Sequence, residues 1–458
     1  KTEKAPGVRK EKIAIIGSGP AGMSCAYHLA KLDYHVTVFE SSFLAGGMLR
    51  SGIPSYRLPK DVLDREILNI EALGVEIRAG IPFGENLTLD GLKDYQAIFI
   101  ATGAHRSRGL HIPGEKGRSV FSGLDFLRKI NLGKKVKLGD KVAIIGGGNT
   151  AIDAARSVIR MGKKATILYR RSKEEMPAFE DEIVEAIEEG VKIRYLVNPI
   201  RIQQKECMKR LECLRMELGE KDESGRRRPV PIPHSNFSIE ADSLIIAAGE
   251  EIEVSFLPEG MEKREGIVLT QRDGSTGIKG IFSGGDLTSS QRTVAHAIGS
   301  GKKAALAIDC YLKGKEAEEA IRQILIGEGP SISIFRHLHP EERPMNPHIV
   351  TFEELNTDYF EPSKRRRESK GPVKERIKGF GEATSTFTES IALEEAERCF
   401  SCGTCNECEN CYVFCPDASI IKTEEILSHQ MDYDFCKGCG ICFSECPRGA
   451  ISLKEEAR

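Results

Sequence analysis

The chain has no apolar run approaching the roughly 18 to 20 residues that span a bilayer, and no signal-type apolar stretch lies near Lys1. A membrane span is not predicted, and a soluble, cytoplasmic protein is expected. Met is absent from the first position, so a segment ahead of Lys1 is expected. Charge of one sign is lacking as well, since 66 Lys and Arg stand against 68 Asp and Glu. No global field favours nucleic acid or an anionic membrane, and any electrostatic docking must be local. Cysteine is sparse over most of the length: only Cys25, Cys207, Cys213 and Cys310 precede Cys399. The other ten of the 14 crowd between Cys399 and Cys446, which suits metal ligation in a large intracellular protein better than a disulfide framework.

What is present is length and glycine. At 458 residues the chain is expected to fold as two to four domains. Its 45 glycines exceed the usual level of about 7% and hint at tight phosphate-binding turns. Residues 12–40 read KIAIIG, a glycine turn, helical AGMSCAYHLAKL and HVTVFE, which is strand, helix and strand ending in an acid. Residues 141–171 repeat the plan with KVAIIG, GGNT, AIDAARSVIRMG and KATILYRR. DYQAIFIATGA (94–104) reads as a buried strand ending at Ala101, Thr102 and Gly103, and SLIIAAGE (243–250) echoes it through Gly249. GIKGIFSGGD (277–286) then leads into a long helical segment, 293–312.

These patterns predict an α/β fold of two nested dinucleotide-binding, Rossmann-like domains. The first comprises 11–130 and 270–330, and the second, 131–269, interrupts it. Residues 331–394 lack sustained periodicity and are expected to be a linker with short helical pieces. The basic run Lys364 to Arg367 within it is expected to be solvated, with docking of an acidic partner as the alternative. Residues 395–458 are cysteine-dense and too few for an apolar core alone, so a metal centre is expected to hold them together.

Gly17, Gly19 and Gly22, with Pro20 and Ala21 between them, form GSGPAG directly after a strand and at the head of a helix. Backbone N–H groups and the helix dipole there face a pyrophosphate. Glu40 follows Gly17 by 23 residues, where a carboxylate can accept both ribose hydroxyls. The second turn carries Gly146, Gly148, Asn149, Thr150 and Ala151, and the same offset lands on Tyr169, followed by Arg170 and Arg171. A missing carboxylate beside two guanidinium groups suits a 2′-phosphate, so NADPH is expected, with NADH still possible.

Cys405, Cys408, Cys411 and Cys415-Pro416 repeat as Cys436, Cys439, Cys442 and Cys446-Pro447, two copies of the bacterial ferredoxin run. Three close thiolates cap one face of a cubane and the fourth reaches the other cluster. The expected ligand sets for two [4Fe-4S] clusters are therefore Cys405, Cys408, Cys411 and Cys446, and Cys436, Cys439, Cys442 and Cys415. This makes 395–458 a small α+β two-cluster ferredoxin-like domain. Zinc is the alternative occupant. Cys399 and Cys402 stay unassigned, because a second register through Cys411 and Cys415 competes for the same ligands.

The segments GSGPAG, GGMLRSGIPSYRLP (46–59), IATGA (100–104), GGGNTAIDAAR (146–156), YRRSKEEMPA (169–178), FSGGD and TVAHAIGSGK together resemble the small subunit of glutamate synthase, a branch of the two-dinucleotide flavoprotein reductases. The resemblance covers about 11–330. It implies that the first turn binds FAD, with Gly47, Leu49 and Arg57 near the phosphates and flavin, and Gly285, Asp286, Thr293 and Val294 along the ribityl chain and pyrimidine ring. A carboxylate at Asp286 suits ribityl hydroxyls, and the helix from Thr293 offers an N-terminus where reduced flavin gathers negative charge. A C-terminal ferredoxin-like module departs from that subunit, which carries its cluster domain ahead of the flavin fold.

The expected activity is NAD(P)H oxidation by a flavin that takes two electrons and yields one at a time, with single electrons passing through two clusters to or from ferredoxin or a catalytic redox subunit. Direction stays open. An electron-input subunit of a glutamate-synthase-like complex, and a docking subunit with little activity of its own, are the alternatives. A disulfide reductase is disfavoured, because no Cys-x-x-Cys lies in either nucleotide unit. No acid or base side chain is required for the hydride step.

Overall fold

The β-branched run of Lys12–Ile16 is buried from its second residue onward, as a strand with helices on both faces demands. In this computed structural model, which describes residues 10–205, 208–222, 225–264, 266–323, 337, 349–423 and 429–454, that strand is the middle of a five-stranded parallel sheet. Its order is Ile281–Ser283, Ala97–Ile100, Lys12–Ile16, His35–Glu40 and Glu76–Ala79. A second parallel sheet repeats the plan as Val120–Ser122, Ser243–Ile246, Lys141–Ile145, Lys164–Tyr169 and Lys192–Tyr195. In each, strand order reverses beside the central strand, and a crevice opens there at the strands' carboxyl ends.

Two aliphatic cores sit on these sheets, one around Ile16, Ile100 and Leu287 and one around Ile144, Ile152 and Ile167. Helix Pro20–Lys31 packs so tightly on helix Val294–Leu312 that a Cβ at Gly301 would lie 3.0 Å from the Cys25 nitrogen.

Three features depart from the pattern of the sequence. Val120–Ser122 and helix Gly123–Asn131 belong to the second sheet and its covering layer, although the sequence reading opens the second domain at 131. The strand is only three half-buried residues long, too short for a periodic signal. An antiparallel sheet of Val197–Lys205, Met208–Lys221, Arg227–Pro231 and Phe237–Ala241 fills the second domain between Lys192–Tyr195 and Ser243–Ile246. Finally, residues 370–385, read from sequence as linker, belong to the same compact unit as the two parallel sheets.

Arg106–Ser107 pairs antiparallel with Glu250–Glu251 along the two chain crossings between the nucleotide domains. A separate unit comprises 321–369 and 386–458. Its described residues include helices Glu389–Glu397, Asn410–Val413 and Ile441–Ser444 and the antiparallel pair Ile420–Lys422 with His429–Met431. Cys207 and most of 331–348 lie outside the described residues.

Candidate functional site

Gly17 holds φ at +104°, and a Cβ there would meet the Ala101 carbonyl oxygen at 2.5 Å, so the turn requires glycine. Gly19, two residues on, has open space where its Cβ would be, a cradle into which a pyrophosphate fits. Helix Pro20–Lys31 starts at this turn, with Ala21 and Gly22 buried in it. Glu40 is buried and accepts hydrogen bonds from the Ser18 nitrogen at 3.0 Å and the Ser42 nitrogen at 2.8 Å, as well as from the Ser18 hydroxyl. Burial works against its charged form, yet those bonds outweigh it and hold the carboxyl below its ordinary value. Ser18, which also accepts from the Gly46 nitrogen at 2.9 Å, escaped the sequence reading because any residue satisfies the motif there.

The segment after this turn is tightly braced. Gly47 lies against Gly19, and Leu49 packs beside Met23, Leu63 and Ile67. Lys60 donates to the carbonyls of Leu49 at 2.8 Å and Ile53 at 2.6 Å, and burial with Arg50 nearby pushes its amine down to about 8. Thr102, beside Gly103 at the end of Ala97–Ile100, has a buried hydroxyl without a partner, and Asp286 has no hydrogen-bond partner among the described residues. Burial raises the Asp286 carboxyl, with Arg292 opposing. The Gly285 nitrogen donates to the Ser300 hydroxyl at 2.8 Å, while Thr293 caps its helix by accepting from the His296 nitrogen at 3.2 Å, leaving Val294 exposed. These unspent polar groups around an open glycine turn suit a polyhydroxylated dinucleotide.

The second turn repeats the device. Gly146 is held at φ +147°, a Cβ on it would strike the Ala247 carbonyl, and Gly148 again faces open space. Ala151 is fully buried behind the turn. Asn149 accepts from the Phe179 nitrogen at 3.1 Å, and Thr150 donates to Glu250 at 2.8 Å. Gly249, at φ +127°, also opens onto free space. The two arginines differ. Arg171 is buried and committed to Asp222 at 2.6 Å and the Arg227 carbonyl at 2.8 Å, whereas Arg170 is exposed with no ion pair among the described residues. Partial desolvation of its stem, then the like charges of Arg171 and Arg226, lower the Arg170 guanidinium. Arg226 reaches this cluster from the bend ahead of the strand Arg227–Pro231, a neighbour that no local motif reveals.

The resemblance places Arg57 at the flavin, but its guanidinium is engaged by the second domain. It donates to both Asp153 oxygens, at 2.9 and 2.8 Å, and pairs with Glu182 at 2.9 Å. Around it, Arg156 binds Glu182, Glu185 and Glu189, and Arg160 binds Glu189. Tyr56, almost wholly buried, lies 3.7 Å below the Arg160 guanidinium. Spacing along the chain cannot expose such partners, nor the link from Glu250 to both Thr150 and Arg292.

In the cysteine-bearing unit the two motifs have matching backbones. Positive φ recurs at Glu407, Glu409 and Ala418 and again at Gly438, Gly440 and Gly449, each pair 31 residues apart. Helices Asn410–Val413 and Ile441–Ser444 stand at the same place in each copy. The Ser419 nitrogen donates to the Cys415 sulfur at 3.3 Å, and the Ala450 nitrogen to the Cys446 sulfur at 3.2 Å. Burial raises the Cys411 thiol, aided by Cys405, Cys408 and Cys446 nearby; burial likewise raises Cys442, aided by Cys436, Cys439 and Cys415. Cys399 and Cys402 are exposed, and the Ser401 nitrogen lowers the Cys399 thiol.

Two nucleotide-binding folds with open glycine turns, joined to a repeated four-cysteine module, define a pyridine nucleotide oxidoreductase with an iron–sulfur domain. The chain belongs to the pyridine nucleotide-disulphide oxidoreductase family, which it matches over residues 11–301, and residues 429–452 match a 4Fe-4S binding domain. It is 41% identical over 400 residues to the NADP(+)-dependent formate dehydrogenase subunit beta of Moorella thermoacetica, covering 86% of this chain and 54% of that one. It is 34% identical over 321 residues to the glutamate synthase [NADPH] small chain of Halomonas elongata, covering 66% and 68%. The likeness read from the motifs is thus found. Mycobacterium tuberculosis FprA in complex with NADPH shares the fold at a TM-score of 0.58 and 19% identity, over 68% of this chain and 86% of that one. The chain spans about half the length of the formate dehydrogenase subunit. Among the described residues, no helix is long and apolar enough to cross a membrane.

Proposed function

We propose that the chain is an NADPH-dependent flavoprotein oxidoreductase that exchanges single electrons with ferredoxin or a partner redox subunit through two [4Fe-4S] clusters. One observation carries this reading: two glycine turns open to a ligand stand in one folded unit of a chain whose other unit repeats a four-cysteine backbone. The first turn, with Gly17, Gly19, Glu40, Thr102 and Asp286, would hold FAD; the second, with Gly146, Gly148 and Arg170, would hold NADPH. Cys405, Cys408, Cys411 and Cys446 would hold one cluster, and Cys436, Cys439, Cys442 and Cys415 the other. When bound, FAD supplies the conversion between a hydride and two single electrons, and the clusters carry those electrons one at a time.

The protein's own work is binding and orientation. Helix N-termini behind each glycine turn would face the phosphates, and Arg170 would offer a donor fork to a 2′-phosphate. The Ser419 and Ala450 nitrogens stabilise the charge of the Cys415 and Cys446 sulfurs. Relatives named as subunits support a partner over a free-standing role. The test is anaerobic purification of the full chain with assay of NADPH oxidation against a viologen dye. About eight iron atoms and one FAD per chain with NADPH-driven dye reduction are expected. Zinc without acid-labile sulfide, or reduction by neither nicotinamide, would sink the reading.

A further inference from the structure

The strap formed by residues 370–385 touches both nucleotide domains. On the second domain, Lys370 pairs with Glu185 at 2.6 Å, and the buried Arg376 binds Glu188 at 2.7 Å and Glu189 at 3.1 Å. On the first, the Ala383 nitrogen donates to the Tyr56 carbonyl at 3.0 Å, and the Phe380 ring stands 6.3 Å from that of Tyr56. Tyr56 and Arg57 are themselves the first domain's hold on Asp153, Glu182 and Arg160. The cluster holds five cations (Arg57, Arg156, Arg160, Lys370, Arg376) against five carboxylates (Asp153, Glu182, Glu185, Glu188, Glu189). Two of those cations come from the strap, so charge balance is complete only while it is seated. The covalent connection between the domains is slight by comparison, a pair of two-residue strands at Arg106–Ser107 and Glu250–Glu251.

We propose that residues 370–385 are a latch that holds the two nucleotide domains at one mutual angle, with Arg376 and Tyr56 as positioning residues for transfer between the nucleotides. The transfer in question rests on the function proposed above. Two short strands resist bending poorly, whereas a polar cluster centred on the buried Glu189, Arg156 and Arg160 opens only at the cost of unmatched buried charge. Both flanks of the strap run into the cysteine-bearing unit, so the segment that fixes the angle is covalently tied to the electron-carrying module.

The test uses the full chain and Arg376→Met, which leaves Glu189 with Arg156 and Arg160 and so does not strand a buried carboxylate. Hydrogen-exchange mass spectrometry is expected to show at least tenfold faster exchange in peptides covering 380–385 and in those covering 106–108 and 249–251. Peptides from the strand Lys141–Ile145, which lends no side chain to the cluster, serve as the fold control and stay unchanged. Arg376→Lys, which keeps the charge, restores most of the protection, and Phe380→Ala gives the same pattern as Arg376→Met more weakly. With NADPH, kcat falls several-fold while KM holds. Faster exchange in the strap alone, with 106–108 and 249–251 as in the wild type, overturns the latch. If the wild-type chain oxidises neither nicotinamide, the functional reading fails, and the exchange data still decide on the latch.

Discussion

Glu189 has no exposed side-chain surface and is bound by Arg156, Arg160 and Arg376. Burial opposes its charge, but the hydrogen bonds from Arg160 and Arg156 prevail and draw its carboxyl down to about 2. Because the folded value lies below the unfolded one, its contribution to stability is full above about pH 4.5 and is lost as pH falls toward 2. Glu189→Gln is expected to flatten acid unfolding in that window, followed by circular dichroism, and to cost about 3 kcal/mol at neutral pH by leaving buried guanidinium groups unmatched. A second pair of substitutions separates neighbours that look alike in sequence. Arg170→Ala should raise the KM for NADPH about tenfold while sparing NADH, as loss of a charge-assisted bond requires. Arg171→Ala should instead lower the melting temperature, since its guanidinium is spent on Asp222 and the Arg227 carbonyl. The run Tyr-Arg-Arg announced a basic strand end, but which arginine faces solvent depends on a hairpin some fifty residues away.

At the scale of elements, the duplicated cysteine motif shows where local pattern suffices. Each copy bends its backbone at the same three places, and glycine occupies all three only in the second. A non-glycine residue held at positive φ costs about 1 kcal/mol, so Ala418→Gly is expected to raise the stability of this unit by about that much in chemical denaturation. A loss of stability would show that the strain is relieved elsewhere. The central strands and glycine turns were readable for a similar reason: a buried β-branched run followed by glycine leaves few alternatives. The edge strand Val120–Ser122 and the strap were not readable. The first is too short to be periodic, and the second is polar because its partners are buried charges, which on sequence alone resemble a solvated tether.

For the whole molecule, metal content is the decisive quantity. Cys408→Ser and Cys439→Ser should each remove about four iron atoms per chain, with the flavin spectrum retained, if the two motifs serve separate clusters. Loss of all iron from either variant would point to a single shared centre. The nested order of the two nucleotide folds was visible in the repeated strand–helix–strand pattern, and it has a consequence for how the chain is made. Strands of the second sheet lie within 120–246, but the first sheet lacks its edge until Ile281–Ser283 emerges. On the ribosome the inner domain can therefore close first, while the earlier strands of the first sheet wait with one edge of Ala97–Ile100 unpaired. That exposed edge makes the interval between synthesis of residues 100 and 281 the stage at which the nascent protein most needs a chaperone.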